Sequence, residues 1–463
     1  MPSRSKTASA ARRSLPRPPS LWQTIGPSFV LLGLALGSGE LILWPFLAAQ
    51  YGLGLLWGGL LGITFQFILN TETMRYSLAW GESVFVGFRK LARWIPLWFV
   101  ISTFIPWSLP GFSSATAQIL VSFFPFLNET MVAIGLLIFV GLILSMGKTL
   151  YKTVEQVQRT IIFISLPLIG LLTLMFAGAS EWQEVGRGLL GFGDGWRWLP
   201  EGISLAAFLG AFAYSGGGGN LNLAQSYYIK EKGFGMGKYA ARIKSLFARG
   251  AKEISLTGQR FVDSAANRQL WSKWWRLVNL EHWLVFWLLG FLTIVVLSVL
   301  AKALVFGTDV SEGLSFLYAE TEVITESSGA FLGSAFLLVA ALMLFSTHLG
   351  ILESSSRIIS ENLFLFFSKR KKANLSLAFY LALWLQIGLG IVIYLVGWQE
   401  PRFLLTLSAV LNAAAMMVAF PLVYWLNKKH LPKHYQPHLL RKLLMLTAFL
   451  FFVILVGVTF TSN

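Results

Sequence analysis

The sequence predicts an all-α integral membrane protein of about eleven transmembrane helices, and three observations carry that prediction. Of its 463 residues, 55% are hydrophobic and only 13% are charged, with a mean hydropathy of +0.65; soluble domains carry about 25% charged residues. Apolar runs of about 20 residues, the length that crosses a bilayer, recur along the whole chain. Two of these runs, the first and the sixth, are interrupted at mid-depth by glycine-rich polar sequence.

The spans fall at about 24–48, 53–75, 95–122, 131–147, 159–178, 203–229, 278–301, 329–361, 375–397, 402–426 and 440–460. Interruptions in corresponding helices of two five-helix halves point to an inverted-repeat secondary transporter. On that reading residues 1–22 are a disordered basic tail and 23–461 a transmembrane transporter domain. Its first repeat covers about 23–180, its second about 200–428, and an extra helix about 440–460.

Charge fixes the expected orientation. With the N-terminus inside, 33 of the 37 Lys and Arg lie in inner segments, leaving Arg187, Arg197, Lys302 and Arg402 outside. This is the positive-inside pattern of an inner or plasma membrane protein, with the odd span count placing the C-terminus outside. The net charge of +16 is therefore a topology signal, and no nucleic-acid partner is expected. The longest inner loop, 230–276, mixes basic residues with Trp271, Trp274 and Trp275 and reads as an interfacial amphipathic segment. The chain has no cysteine, so neither disulfides nor thiolate ligands are available.

The first interruption is Gly37-Ser38-Gly39-Glu40. A carboxylate at membrane depth costs several kcal/mol unless it lines a polar cavity, so Glu40 reads as functional. The two glycines ease local unwinding. The second interruption is Tyr214-Ser215-Gly216-Gly217-Gly218-Gly219-Asn220. Each glycine in a helix costs about 1 kcal/mol relative to alanine, so four in a row predict a break. Substrate is expected between these segments, at Gly37 through Glu40 and Tyr214 through Asn220. Further polar groups at depth are Gln66 and Glu72, Gln118, Asn412, and the run from His348 to Arg357. His348 reads as a proton relay or a packed histidine, and Glu353 and Arg357, four apart, as an ion pair at an inner gate. No nucleophile–base set or phosphate loop is present, so no enzyme activity and no cofactor are expected.

These motifs resemble the Nramp family of proton-coupled divalent-metal transporters, which share the LeuT-type fold. Gly26-Pro27 opens the first span as the family's Gly-Pro does, and counting on without a gap brings Gly37–Glu40 to its Asp-Pro-Gly-Asn. Ala49-Gln50-Tyr51-Gly52, Leu55-Leu56-Trp57, Gln66 and Arg75 also resemble the family's second span. Aligning Gln225 with the family's second span-six histidine puts Gly218, Gly219 and Asn220 at its Met-Pro-His. The ligand residues differ: Gly37 replaces the Asp, Glu40 the Asn, Gly218 the Met and Asn220 the His.

The resemblance implies a hard cation such as Mg2+ or Mn2+ as substrate, with Glu40 and Asn220 as its ligands and protons as the coupling ion. Glu40, His348, Gln225, Glu353 and Arg357 are the coupling or gating candidates. Gly-Ser-Gly opposite a glycine-rich break is also similar to amino-acid transporters of the wider LeuT-fold group, where half-helix N-termini hold a carboxylate. An amino acid or small anion therefore stays open as the substrate, as do a channel or a non-transporting sensor as rival functions.

Overall fold

Burial sorts the helices into a centre and a rim. A computed structural model describes residues 13–146, 150–240, 254–308, 314–367, 372–373 and 375–461. Among these, ten helical stretches are long and apolar enough to cross a membrane. The sixth expected span is the one outside that set, because it is broken into Leu205–Ala213 and Gln225–Lys232. Span one, Pro27–Tyr51, is buried along its whole apolar window, whereas spans four (Glu129–Met146), five (Leu150–Phe176) and eleven (Leu439–Thr461) bury a third of theirs. A helix apolar all round belongs at the centre of a bundle, and one apolar toward lipid at its rim.

Around span one pack span eight (Ala330–Phe367), span seven (Ala265–Val305) and the outer half of span six. Span two (Leu56–Trp80) and span ten (Pro401–His430) flank the broken helix. Span three is bent, Ile95–Trp107 followed by Gly111–Phe123, because Pro110 lacks the N–H that would continue the ladder. The two-residue strands Ile254–Ser255 and Lys372–Ala373 pair antiparallel and tie the loop after span six to the loop after span eight.

Span one departs from the expectation of an unwound segment. It stays helical throughout, with a π-helical stretch, Leu36–Leu43, between two α-helical halves. The glycines serve close approach instead of unwinding. A Cβ on Gly37 would lie 2.8 Å from Thr347 Oγ1 and 2.9 Å from Leu344 Cα, and one on Gly39 would lie 1.9 Å from the Tyr214 carbonyl oxygen. The extra residue per turn of a π-helix re-aims the side chains beyond it, a feature common at functional sites.

The tail and the loop also depart from expectation. Residues 1–12 and 241–253 lie outside the described residues, but 13–20 are docked. Leu15 is buried and its N–H donates to Asn267 Oδ1 at 3.1 Å, while Trp274 Nε1 donates to the Pro16 carbonyl at 2.6 Å. Trp271 and Trp274 are buried in an apolar cluster with Met74, Phe234 and Tyr435 rather than lying at a headgroup surface. Tail and loop bury apolar side chains against each other, which offsets the entropy of ordering both.

Candidate functional site

The break in span six is held open by one side chain. Gln66 of span two donates from Nε2 to the carbonyls of Ala213 (3.1 Å) and Phe212 (3.4 Å). Its Oε1 accepts from the Gly218 N–H (3.2 Å) and from Asn222 Nδ2 (3.0 Å). A buried amide thus replaces part of the ladder that the break removes, as buried backbone groups require. Gly218 and Gly219 have φ of +72° and +46°, the left-handed region that glycine enters without penalty. A Cβ at Gly219 would lie 2.0 Å from Asn412 Oδ1, and one at Gly218 would lie 2.6 Å from the Tyr214 ring.

Polar side chains of spans three and ten close the break from the other side. Asn220 Nδ2 donates to Ser102 Oγ and Thr103 Oγ1, both at 2.9 Å. Tyr214, stacked on Trp107 with centroids 5.5 Å apart, shares a 2.7 Å hydrogen bond with Ser408 and accepts one from Asn412 Nδ2 at 3.1 Å. Ser215 Oγ accepts from Trp44 Nε1 of span one at 3.0 Å. Every amide N–H2 group here is engaged, yet among the described residues the oxygens Asn220 Oδ1, Asn222 Oδ1 and Asn412 Oδ1 are buried without a donor, as is Gln225 Oε1. Gln225 itself donates to Met74 Sδ at 3.4 Å.

Glu40 faces elsewhere. It is fully buried, and neither carboxylate oxygen has a hydrogen-bond partner among the described residues. Its neighbours come from span seven: a Cβ on Gly290 would lie 3.3 Å from Glu40 Oε1, and the Thr293 hydroxyl nearby donates instead to the Leu289 carbonyl. Glu40 and Asn220, expected as joint metal ligands, thus turn to different neighbours, span seven and span three. Within the π-helical stretch it is Gly39, not Glu40, that meets span six, at the Tyr214 carbonyl. No group of three or more His, Asp or Glu that could hold a metal occurs among the described residues. Gly37 donates its N–H to Thr347 Oγ1 at 2.9 Å, and Ser38 bonds back to the Ala35 carbonyl.

The remaining candidates occupy span eight. His348 is 5% exposed and stacks on Phe112, 6.4 Å between centroids. Arg357 binds Glu353 one turn earlier and reaches Glu231 of span six at 3.2 Å. Tyr228 bonds Ser354 and approaches Glu353 at 3.4 Å. This buried network ties the inner half of span six to span eight. At the opposite end a cavity of about 280 Å³, lined by Leu43, Phe46, Ala207, Arg402 and Thr406 among others, reaches into the bundle between spans one, six and ten. The ion-pair network thus lies toward the basic end of the bundle and this cavity toward the other.

Sequence reasoning missed one cluster. Glu281, at the start of the buried part of span seven, accepts from the N–H groups of Gly26 and Ser28, each at 3.3 Å, and from Ser28 Oγ at 2.5 Å. His282 Nδ1 meets the same hydroxyl at 2.7 Å, and its ring stacks between Phe67 and Phe286. Glu281 caps the first helix of span one, whose leading N–H groups have no partner of their own. The signal in the sequence is an adjacent Glu-His pair at the edge of an apolar run, 253 residues away from the serine it serves.

No family model and no curated relative matches the chain. Solved structures do. The chain is similar to a manganese transporter of Eremococcus coleocola, with a TM-score of 0.70 and 14% identity over 97% of this chain and 89% of that one. It is also similar to Mhp1, a nucleobase-cation-symport-1 family transporter (TM-score 0.58, 14% identity, 96% and 94% covered). A third neighbour is MhsT, solved in complex with L-phenylalanine (TM-score 0.52, 15% identity, 94% and 98% covered). The resemblance drawn from the motifs holds at the level of fold: this chain has the LeuT-type transporter fold.

Proposed function

We propose that the protein is a secondary-active transporter that moves a small, hard cation by alternating access, with the cation bound at the break in span six. The observation that carries the substrate reading is the set of orphaned amide oxygens around Gly217–Asn220. Buried acceptors without donors call for a cation or a donor-rich guest, and amide and backbone carbonyls are hard oxygen ligands. The orphaned acceptors are amide oxygens, and the thioethers near them, Met416 and Met74, are held by the Asn222 and Gln225 amides; hard oxygen ligands of this kind suit Mg2+ or Mn2+ keeping part of its water. A small anion would meet lone pairs at every one of those oxygens, so that alternative is disfavoured; the ammonium of an amino acid fits the same acceptors.

Glu40 serves as the coupling proton's carrier in this reading. An ionised carboxylate in an apolar slot costs several kcal/mol, which suits a group that takes up and returns a proton as the helix moves. The manganese named for the Eremococcus neighbour supports a divalent cation, and the L-phenylalanine of MhsT supports the amino-acid reading. Uptake into proteoliposomes decides between them. Saturable, gradient-driven accumulation of Mg2+ or Mn2+ that amino acids do not compete with is the expected result. Accumulation of an amino acid without metal uptake would replace the substrate, and flux with no saturation would replace the transporter by a channel.

A further inference from the structure

At the basic end of the bundle, a cavity of about 220 Å³ lies between the docked tail, the inner end of span two, the inner half of span six and the loop that follows. Its chemistry is one-sided. Arg13 and Lys230 line it, with the hydroxyls of Tyr239, Ser255 and Thr257 and the indole of Trp80. No carboxylate lines it among the described residues.

Lys230 is 5% exposed, yet among the described residues it makes no ion pair within 4 Å; the Tyr227 ring, 5.5 Å away, is the aromatic face it meets. A buried ammonium is costly unless something neutralises it. Arg13 is likewise held over a ring, that of Tyr239, at 4.8 Å. Trp80 Nε1 is a buried donor with no acceptor. The nearby acids lie outside the lining: Glu82 accepts from Tyr76, Lys90 and the Gly258 N–H, and Glu361, which accepts from Ser83, is the acid whose charge Lys230 feels from beyond ion-pair distance.

We propose that this cavity is an anion site that takes a single phosphate group. Two cations and an indole N–H without an acceptor face a space that no carboxylate lines among the described residues, while the Tyr239 and Ser255 hydroxyls donate to the Ser14 and Thr257 carbonyls; charge-assisted and N–H donors of this kind are what phosphate oxygens require. The volume is below the roughly 300–1,000 Å³ of sites for drug-sized molecules, so a phosphate group fits and a whole nucleotide does not. The phosphate could belong to a free anion or to a phospholipid headgroup, and the recognising chemistry is the same for both.

The test uses the full chain, purified and stripped of phospholipid. One arm follows thermal unfolding by tryptophan fluorescence as inorganic phosphate is added at constant ionic strength, with chloride as the control. The other measures retention of phosphatidylglycerol against phosphatidylcholine by native mass spectrometry. A saturable upward shift in Tm with phosphate, weakened at least about tenfold by Lys230→Gln and by Arg13→Gln, identifies a free anion; each lost charge-assisted contact of 1.5–3 kcal/mol would have about that effect. Selective phosphatidylglycerol retention lost in the same variants, without a phosphate response, identifies the lipid. The Arg13 side chain is exposed on the docked tail, so Arg13→Gln keeps the test intact if Lys230→Gln misfolds. Absence of selectivity in both arms, or binding undiminished in both variants, would overturn the site.

Discussion

Glu40 and Gln66 are both buried polar residues beside the midplane, and they have opposite tasks. Gln66 is fully engaged: four hydrogen bonds tie it to both sides of the break. Replacing it with leucine orphans the Ala213 carbonyl and the Gly218 N–H and takes one of several partners from the Phe212 carbonyl and the Asn222 amide. At about 1–3 kcal/mol per buried group left without a partner, Gln66→Leu is expected to lower thermal stability in detergent by several kcal/mol and to abolish uptake. Glu40 is engaged with nothing, so Glu40→Gln keeps shape and volume and is expected to leave stability nearly unchanged. Its signature is in coupling. Exchange of substrate across the membrane should survive, while the dependence of uptake on an imposed pH gradient disappears. A Glu40→Gln protein whose uptake still follows the pH gradient would remove the proton role from this residue.

The two interrupted helices look alike in sequence and resolve differently as elements. Both carry glycines beside a polar residue at mid-span, which is why both read as breaks. In span one the glycines alternate with side chains, and each meets a neighbouring backbone, so they buy proximity while the helix persists as a π-helical stretch. In span six four glycines run together, and two adopt positive φ, so the helix ends at Ala213 and resumes as a tighter turn at Gly219. Alanine substitution separates these roles. Gly219→Ala needs a Cβ at φ +46° and 2.0 Å from Asn412 Oδ1, whereas Gly217→Ala has no positive φ and meets the flexible tip of Leu31 at 2.7 Å. Gly219→Ala is expected to cost at least about 1–3 kcal/mol and most of the uptake, Gly217→Ala much less. Equal losses from the two would show that space, and not the backbone conformation, governs the break. The spans and the second break were legible because bilayer length and a glycine run are local signals. Glu40's direction was not, because it depends on helical winding over Leu36–Leu43 and on the packing of span seven. The Ser28–Glu281–His282 cluster was hidden for a similar reason, since nothing local links residues so far apart.

At the scale of the whole molecule, the question is which end opens and what holds the other shut. Toward the basic end Arg357, shared between Glu353 of its own helix and Glu231 of span six, ties those two helices together, while the opposite end carries the cavity beside Leu43. Under the alternating access proposed above, the ion pairs between spans six and eight should weight the balance toward the form that contains them. Removing Arg357 withdraws the cation that both carboxylates share, and loss of one partner of a buried pair costs about 3–5 kcal/mol in the state that contains it. Part of that cost can be relieved by opening. The chain contains no cysteine, so a single introduced thiol reports opening without background. Ser226, fully buried on the inner half of span six with its hydroxyl bonded to the Leu223 carbonyl, is a suitable position. In the Ser226→Cys background, Arg357→Met is expected to speed labelling by a membrane-impermeant maleimide applied at the basic end. A shift of one to two kcal/mol corresponds to about 5–30-fold in that rate. Labelling at the parent rate, in a protein that still unfolds cooperatively, would mean that the network braces the fold without gating it. The barrier at the basic end would then lie in the apolar packing of the docked tail, loop and span two around Leu15, Trp271 and Trp274.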